Sequence, residues 1–423
     1  MTARTRSWRR GLRLGGALSA LALVSAACGD DASTGVATTR APDAADTSVL
    51  GERDPATGEP IKVGFAYDAG GEASDTSEYL VAATATEKYI NEHLGGIEGR
   101  PLEISFCETK FSAAAATECV NQFVQDGVSA VLVGATGFGE VIATAVTAAK
   151  IPYVAFLGAT VPELTSPGAF SLSGSAMSLL LGPAPFMKEH GLTRLAILSI
   201  DVPTATQGVE LLATPAYEAA GMEVQLVAVP PGTADMSANV STAADAEAWL
   251  LLGDAAFCNT ALQALQTQAP DKPIFVSLQC VNTANAKSLP NGYEGVVGIS
   301  STRLDPADPE YAIFQAILTK YVTEDLAQSA PGFLADGFTV VLAFARMLDG
   351  YTGDGSAASV QAQLASASAL MPLGGGIEIT CGRSPVPLLS ALCSLGAWTT
   401  DFDASGAPIA FAMIDVAPYV TIG

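Results

Sequence analysis

The sequence predicts an α/β protein built from two similar, doubly wound lobes, each on a parallel sheet. Three observations predict it. Short β-branched runs alternate with Ala-rich helical stretches along most of the chain. The alternation forms two series, separated by a link near 170–182. The chain has 423 residues, 49% apolar and only 15% charged, which is too long for one ordinary domain and apolar enough for two buried cores.

The first series opens with the strand IKVGFAY (61–67) and the helical stretch EYLVAATATEKYINEHLGG. PLEISFC (101–107) then leads into AAAATECVNQFVQDG, VSAVLVG (128–134) into EVIATAVTAAK, and IPYVAF (151–156) into GATVPELTSP. The second series runs LTRLAILSI (192–200), QGVELLATPAYEAAG, MEVQLVAV (222–229), a helical run near 235–246, AWLLLG (248–253), DAAFCNTALQALQTQ, KPIFVSL (272–278) and VVGIS (296–300). Strand–helix repeats of this length imply parallel sheets with helices on both faces. Two helical stretches follow with no strand between them, 309–322 and 333–350. The Gly-rich tail, 371–423, ends in an expected strand, PIAFAMIDV (408–416).

The N-terminus reads as an export signal. Arg4, Arg6, Arg9, Arg10 and Arg13 precede an apolar stretch, Leu14 to Val24, and then Ser25-Ala26-Ala27-Cys28. The apolar run is too short to span a bilayer. Cys28 after two alanines resembles the lipobox of bacterial lipoproteins, with Ser25 in place of the commoner Leu; an ordinary signal peptide is the alternative. Arg9-Arg10 leaves a twin-arginine export route open beside the general one. Residues 1–27 are therefore expected to be removed, and 28–60, a lipidated Cys and a polar stretch without apolar period, to form a flexible tether. Taking five arginines with the signal leaves 15 basic against 43 acidic side chains, net −28. That balance argues against nucleic acid and anionic lipid as partners.

Six cysteines remain, Cys107, Cys119, Cys258, Cys280, Cys381 and Cys393. An even number in an exported chain suggests disulfides, and the close sequential pairs favour 107–119, 258–280 and 381–393 among the 15 possible pairings. The spacings are not those of a metal site, and His93 and His190 are the chain's only histidines. No cofactor motif is present, nor a Gly-x-Ser-x-Gly elbow, P-loop or HExxH, so an enzyme is not expected.

Over roughly 61–370 the chain resembles the leucine/isoleucine/valine-type substrate-binding proteins of ABC importers, which have the type I periplasmic-binding-protein fold. The resemblance rests on IKVGFAYDAGG, YINEHLGGIEGRPLEI, AVLVGATG, GATVPELTSP and FLADGFTVVLAFARML. It implies two lobes joined by a three-strand hinge, with a ligand cleft between them. It implies lobe 1 at 61–180 plus 307–370 and lobe 2 at 181–306 plus 371–423. It also implies a small-molecule solute, permease and ATPase subunits as partners, a monomer, and anchorage by lipid to the outer face of the cell membrane. A sensing lipoprotein of a signalling system is the alternative on the same fold.

Ligands of open α/β sheets bind beyond the carboxyl ends of the strands, and the resemblance selects the same loops. The candidate ligand-binding residues are Tyr67, Asp68, Thr136, Gly137, Phe138, Ala159, Thr160, Thr206, Asp254 and Gln279. Thr160-Val161-Pro162-Glu163 is equally a capping box, and Asp254 equally an N-cap. Phe333 is expected to pack, and Asp336 to cap its helix or bridge the lobes. Where the family places an acid for the ligand's ammonium, this chain has Gln279. Where the family places a Ser for its carboxylate, this chain has Gly137 or Phe138. A leucine-like ligand is therefore in doubt, and a neutral solute or an organic acid is at least as compatible.

Overall fold

The computed structural model describes residues 45–69, 75–323, 326, 329 and 331–420. They belong to one compact unit, Ala44–Gly423. The export signal and Cys28 lie outside the described residues.

The first sheet has five parallel strands, β1 (Ile61–Tyr67), β2 (Leu102–Glu108), β3 (Ala130–Val133), β4 (Tyr153–Ala155) and β5 (Ala169–Ser171), in the order β2-β1-β3-β4-β5. The second has seven: β6 (Arg194–Ile200), β7 (Glu223–Val229), β8 (Ala248–Leu252), β9 (Ile274–Ser277) and β10 (Val296–Ser300) run parallel, and the tail adds two more. Between the sheets' contributions lies a small hairpin, β11 (Ser368–Leu370) and β12 (Glu378–Thr380). The last strands, β13 (Ala397–Phe402) and β14 (Pro408–Ile414), extend the second sheet antiparallel, giving β14-β13-β10-β9-β8-β6-β7. The α/β architecture matches the expectation, with one difference: the second sheet is mixed because its final strands form a hairpin rather than a crossover.

Strand sequence follows burial. In β3, β4 and β8 every residue is buried, the pattern of a parallel sheet covered on both faces. The helix Pro331–Met347, whose residues are nearly all buried, packs with the helix Ser77–His93 in one core with Val63, Phe65, Leu132 and Val154. Gly337 makes this approach close, since a Cβ there would lie 3.0 Å from the Tyr79 carbonyl. The second sheet has its own core, with Leu198, Leu251 and Val276 against Phe257, Leu262 and Leu265.

The chain passes between the sheets three times, after β5, after β10 and before β13. The passages lie side by side: the Ser301 hydroxyl donates to the Gly396 carbonyl (3.0 Å), and the Ser178 hydroxyl to Leu395 (3.0 Å). Two expected boundaries move. Met177, Leu180 and Leu181 pack with Leu195 and Ile197 of the second sheet, so the first passage precedes residue 180. Met371, Leu373, Ile379, Cys381 and Cys393 pack in the core of the first sheet, so the return begins near β13 rather than at 371.

Residues 45–60 correct the expected tether. Thr47–Leu50 form a 3-10 turn capped by Asp46, and Leu50 is buried in the first core. The Asp54 and Ala56 amides donate to the Glu92 and Asn91 carbonyls at 2.8 and 2.9 Å, and Arg53 pairs with Glu92. One buried Leu and satisfied backbone groups suffice to fix a segment whose composition reads as linker. All three expected disulfides are present, Cys107–Cys119, Cys258–Cys280 and Cys381–Cys393.

Candidate functional site

The carboxyl ends of both sheets face a cleft of about 210 Å³. The first sheet contributes Asp68 after β1, Phe111 after β2, Ala135, Thr136 and Gly137 after β3, and Leu157 and Ala159 after β4. The second contributes Ile200, Val202 and Ala205 after β6, Leu252, Gly253 and Asp254 at the end of β8, and Ser277 and Gln279 at the end of β9. Leu179 and Leu180 of the passage helix, and Tyr79 and Phe333 of the paired helices, complete the walls. Most of these side chains are apolar, as in a typical small-molecule site.

Of the ten candidates, Asp68, Thr136, Gly137, Ala159, Asp254 and Gln279 line this cleft. Tyr67 is half-buried and packs against the first core instead. Phe138 precedes the helix Gly139–Ala148 and sets its ring edge-on to Phe111, 5.5 Å between centroids. Thr160 is buried beside Glu163, and the Thr206 hydroxyl donates back to the Val202 carbonyl at 3.2 Å.

The polar groups at the first sheet's strand ends bond largely to one another. Asp68 is buried. Its Oδ2 accepts from the Gly137 amide at 2.7 Å, and its Oδ1 accepts from the Thr136 hydroxyl at 3.0 Å and from the Thr109 hydroxyl. Thr76 closes the loop behind it, accepting from the Asp68 amide (3.0 Å) and donating to its carbonyl (2.8 Å). Burial pushes the Asp68 carboxyl above its ordinary value, and the three donors oppose that. Glu163 is arranged likewise. Its Oε2 accepts from the Ala159 and Thr160 amides, both 3.0 Å, and from the Thr160 hydroxyl at 2.9 Å; its Oε1 accepts from the Tyr153 hydroxyl at 2.6 Å. Burial raises this carboxyl too. A side chain at Gly139 would collide with it, so Gly139 makes room for the buried acid.

Asp254 caps the helix Ala255–Gln268 through the Phe257 amide, 2.8 Å, while lining the cleft. Gln279 joins the two halves: its Nε2 donates to Asp336 Oδ2 at 2.6 Å. The helix carrying Asp336 comes close here, since a Cβ on Gly332 would lie 2.8 Å from the backbone of Leu278 and Gln279. The Cys258–Cys280 bridge ties the turn that carries Gln279 to the capped helix. Asp336 is fully buried, and burial raises its carboxyl well above the ordinary value, opposed only by Gln279. Among the described residues its Oδ1 has no hydrogen-bond partner, nor has the hydroxyl of Tyr79, whose ring stands edge-on to Phe333 at 5.2 Å.

Sequence reasoning missed Tyr79, Phe111, Leu179 and Leu180. Tyr79 sits in a stretch that reads simply as the buried face of a helix. The usable signal was Gly134, whose missing side chain leaves room for the Tyr79 ring.

A family model for periplasmic binding proteins matches residues 60–384. The chain belongs to the periplasmic binding protein family. That family is extracytoplasmic, and its members are substrate-binding proteins rather than enzymes. No helix among the described residues is long and apolar enough to cross a membrane. Among curated proteins none matches the chain in sequence. Solved structures share the fold. A fatty acid ABC transporter substrate-binding protein from Thermomonospora curvata is 15% identical, with 87% of this chain and 96% of that one covered at a TM-score of 0.69. A branched-chain amino acid transporter substrate-binding protein of Streptococcus pneumoniae, in complex with isoleucine, is 16% identical, with 84% and 99% covered at 0.64. A solute-binding protein of an ABC transporter from R. palustris, in complex with 4-hydroxybenzoate, is 16% identical, with 82% and 93% covered at 0.65.

Proposed function

We propose that the protein captures a small organic solute with a large apolar surface by closing its two lobes on the cleft, and delivers it to the permease and ATPase subunits of an ABC importer. It works as a monomer held to the outer face of the membrane through a lipid on Cys28. The observation that carries the reading is the cleft itself, shared by the carboxyl ends of both sheets and walled by Phe111, Leu157, Leu180, Ile200, Leu252 and Phe333. Contacts made with both lobes at once would favour the closed form, the state a permease distinguishes.

A thermal-shift panel of amino acids, amides, carboxylates, polyols and aromatic acids tests this. A ligand that binds only the native state raises the melting temperature by mass action. Solutes with an apolar body are expected to raise Tm in the wild-type chain and to leave Ala205→Trp, which fills the second wall, unmoved. A panel without any shift, or equal shifts in the variant, would contradict the reading. Incorporation of a tagged fatty acid into the wild-type protein and not into Cys28→Ser tests the anchor.

A further inference from the structure

The hydrogen-bond donors of Thr136, Gly137 and Ala159, which line the cleft from the first sheet, already have acceptors within the protein, shared with Thr109 and Thr160. Thr109, Thr136 and Gly137 converge on the Asp68 carboxylate. Ala159 and Thr160 converge on that of Glu163. Converging hydroxyls and amides of this kind would ordinarily suit a carboxylate brought by a ligand. Here a side chain of the chain itself occupies each group. Among the described residues, the charged ones lining the cleft are Asp68 and Asp254, with no Lys, Arg or His. An anionic solute would thus meet acids, with its usual donors engaged and no compensating cation. Two buried polar atoms have no partner among the described residues, the hydroxyl of Tyr79, which lines the cleft, and Oδ1 of Asp336, whose Oδ2 accepts from the lining residue Gln279. They suit a group that both donates and accepts without bearing a negative charge.

We infer that the cleft rejects carboxylates and takes an uncharged solute with an apolar body and a hydrogen-bonding end, such as an amide, alcohol or phenol, held by Tyr79 and the Gln279–Asp336 pair, with Asp68 as the residue that determines this specificity. The inference rests on the solute-capture reading above. Asp68 acts by keeping the donors of Thr109, Thr136 and Gly137 occupied.

The test uses matched pairs, hexanamide with hexanoate and benzamide with benzoate, titrated at pH 7 against the mature wild-type chain, Asp68→Ala and Asp68→Asn. In the wild type the amide of each pair binds at least tenfold tighter than the acid. In Asp68→Ala the donors are freed, the preference reverses, and acetate alone raises Tm. Asp68→Asn, close in shape, keeps the fold should the alanine variant lose it, and shifts the ratio toward the acid by a smaller factor. Acids binding the wild type as tightly as their amides would overturn the inference and leave solute capture standing. No shift by either series in the wild type, with acetate still stabilising Asp68→Ala, would count against solute capture while upholding the role of Asp68. An acid-to-amide ratio unchanged in both variants would also overturn the inference.

Discussion

The two walls of the cleft are made differently. The first sheet's strand ends carry a polar interior: Asp68 and Glu163 are buried, and between them accept from seven donors. The second sheet's wall is mostly apolar side chains, and its polar members are fixed from behind, Asp254 by the helix it caps and Gln279 by Asp336. The buried acids of the first wall are satisfied internally, and each group there would be costly to unpair. The second is held by a disulfide and by packing, so it sets shape mainly through apolar side chains, with Asp254 its one charged lining residue among those described. Lining a site with polar residues does not make them available to a ligand.

Breaking the first wall has the largest effect. Glu163→Ala leaves three buried donors and the half-buried Ala159 amide without an acceptor and is expected to cost about 4 kcal/mol, extrapolating from about 1–3 kcal/mol for one orphaned group; urea denaturation of the variant measures it, and a cost under about 1 kcal/mol would show that the network is dispensable. The second wall depends on its bridge. Replacing Cys258 and Cys280 together by Ser should cost about 3 kcal/mol and weaken solute binding beyond that of a variant lacking Cys381 and Cys393, which lie apart from Gln279.

A pH series separates the walls from the residue between them. Asp336 has a raised carboxyl in the folded chain. An acid with a raised folded value binds its proton more tightly when folded, so its contribution is full below the ordinary carboxylate value. Stability then falls as pH rises from that value toward the raised one. One such group changes stability by at most about 1.4 kcal/mol per pH unit. Asp336→Asn should flatten the fall, seen in Tm from pH 4 upward; an unchanged slope would assign it to Asp68 and Glu163, which are shifted the same way. Asp254→Ala removes a cap and should cost about 1 kcal/mol, the smallest of these effects, measured by the same denaturation.

Much of the fold was legible because a parallel sheet writes itself as apolar runs between helices. IKVGFAY is β1 to the residue, and VVGIS is β10. What escaped was short or not periodic. Three residues at Ala169–Ser171 are too few to register, and β13 is a mixed sequence, AWTTDF, whose place depends on pairing with β10. The site was legible as a set of loops, since strand ends are fixed by the fold. Who bonds to whom was not. Thr109 and Thr136 reach Asp68 only because the order β2-β1-β3 sets their strands on either side of β1. The sequence offered Thr160 as ligand contact or cap; its hydroxyl and amide both bond to Glu163. Gln279 stood out in the sequence, but its partner Asp336 lies 57 residues away.

The measurement that tests the account most directly is a calorimetric titration, over several temperatures, of the mature chain with the solute that most raises its Tm. Capture in an apolar cleft predicts one site per chain and a negative heat-capacity change, the mark of buried apolar surface. Binding with no heat-capacity change, or at a site untouched by Ala205→Trp, would contradict it.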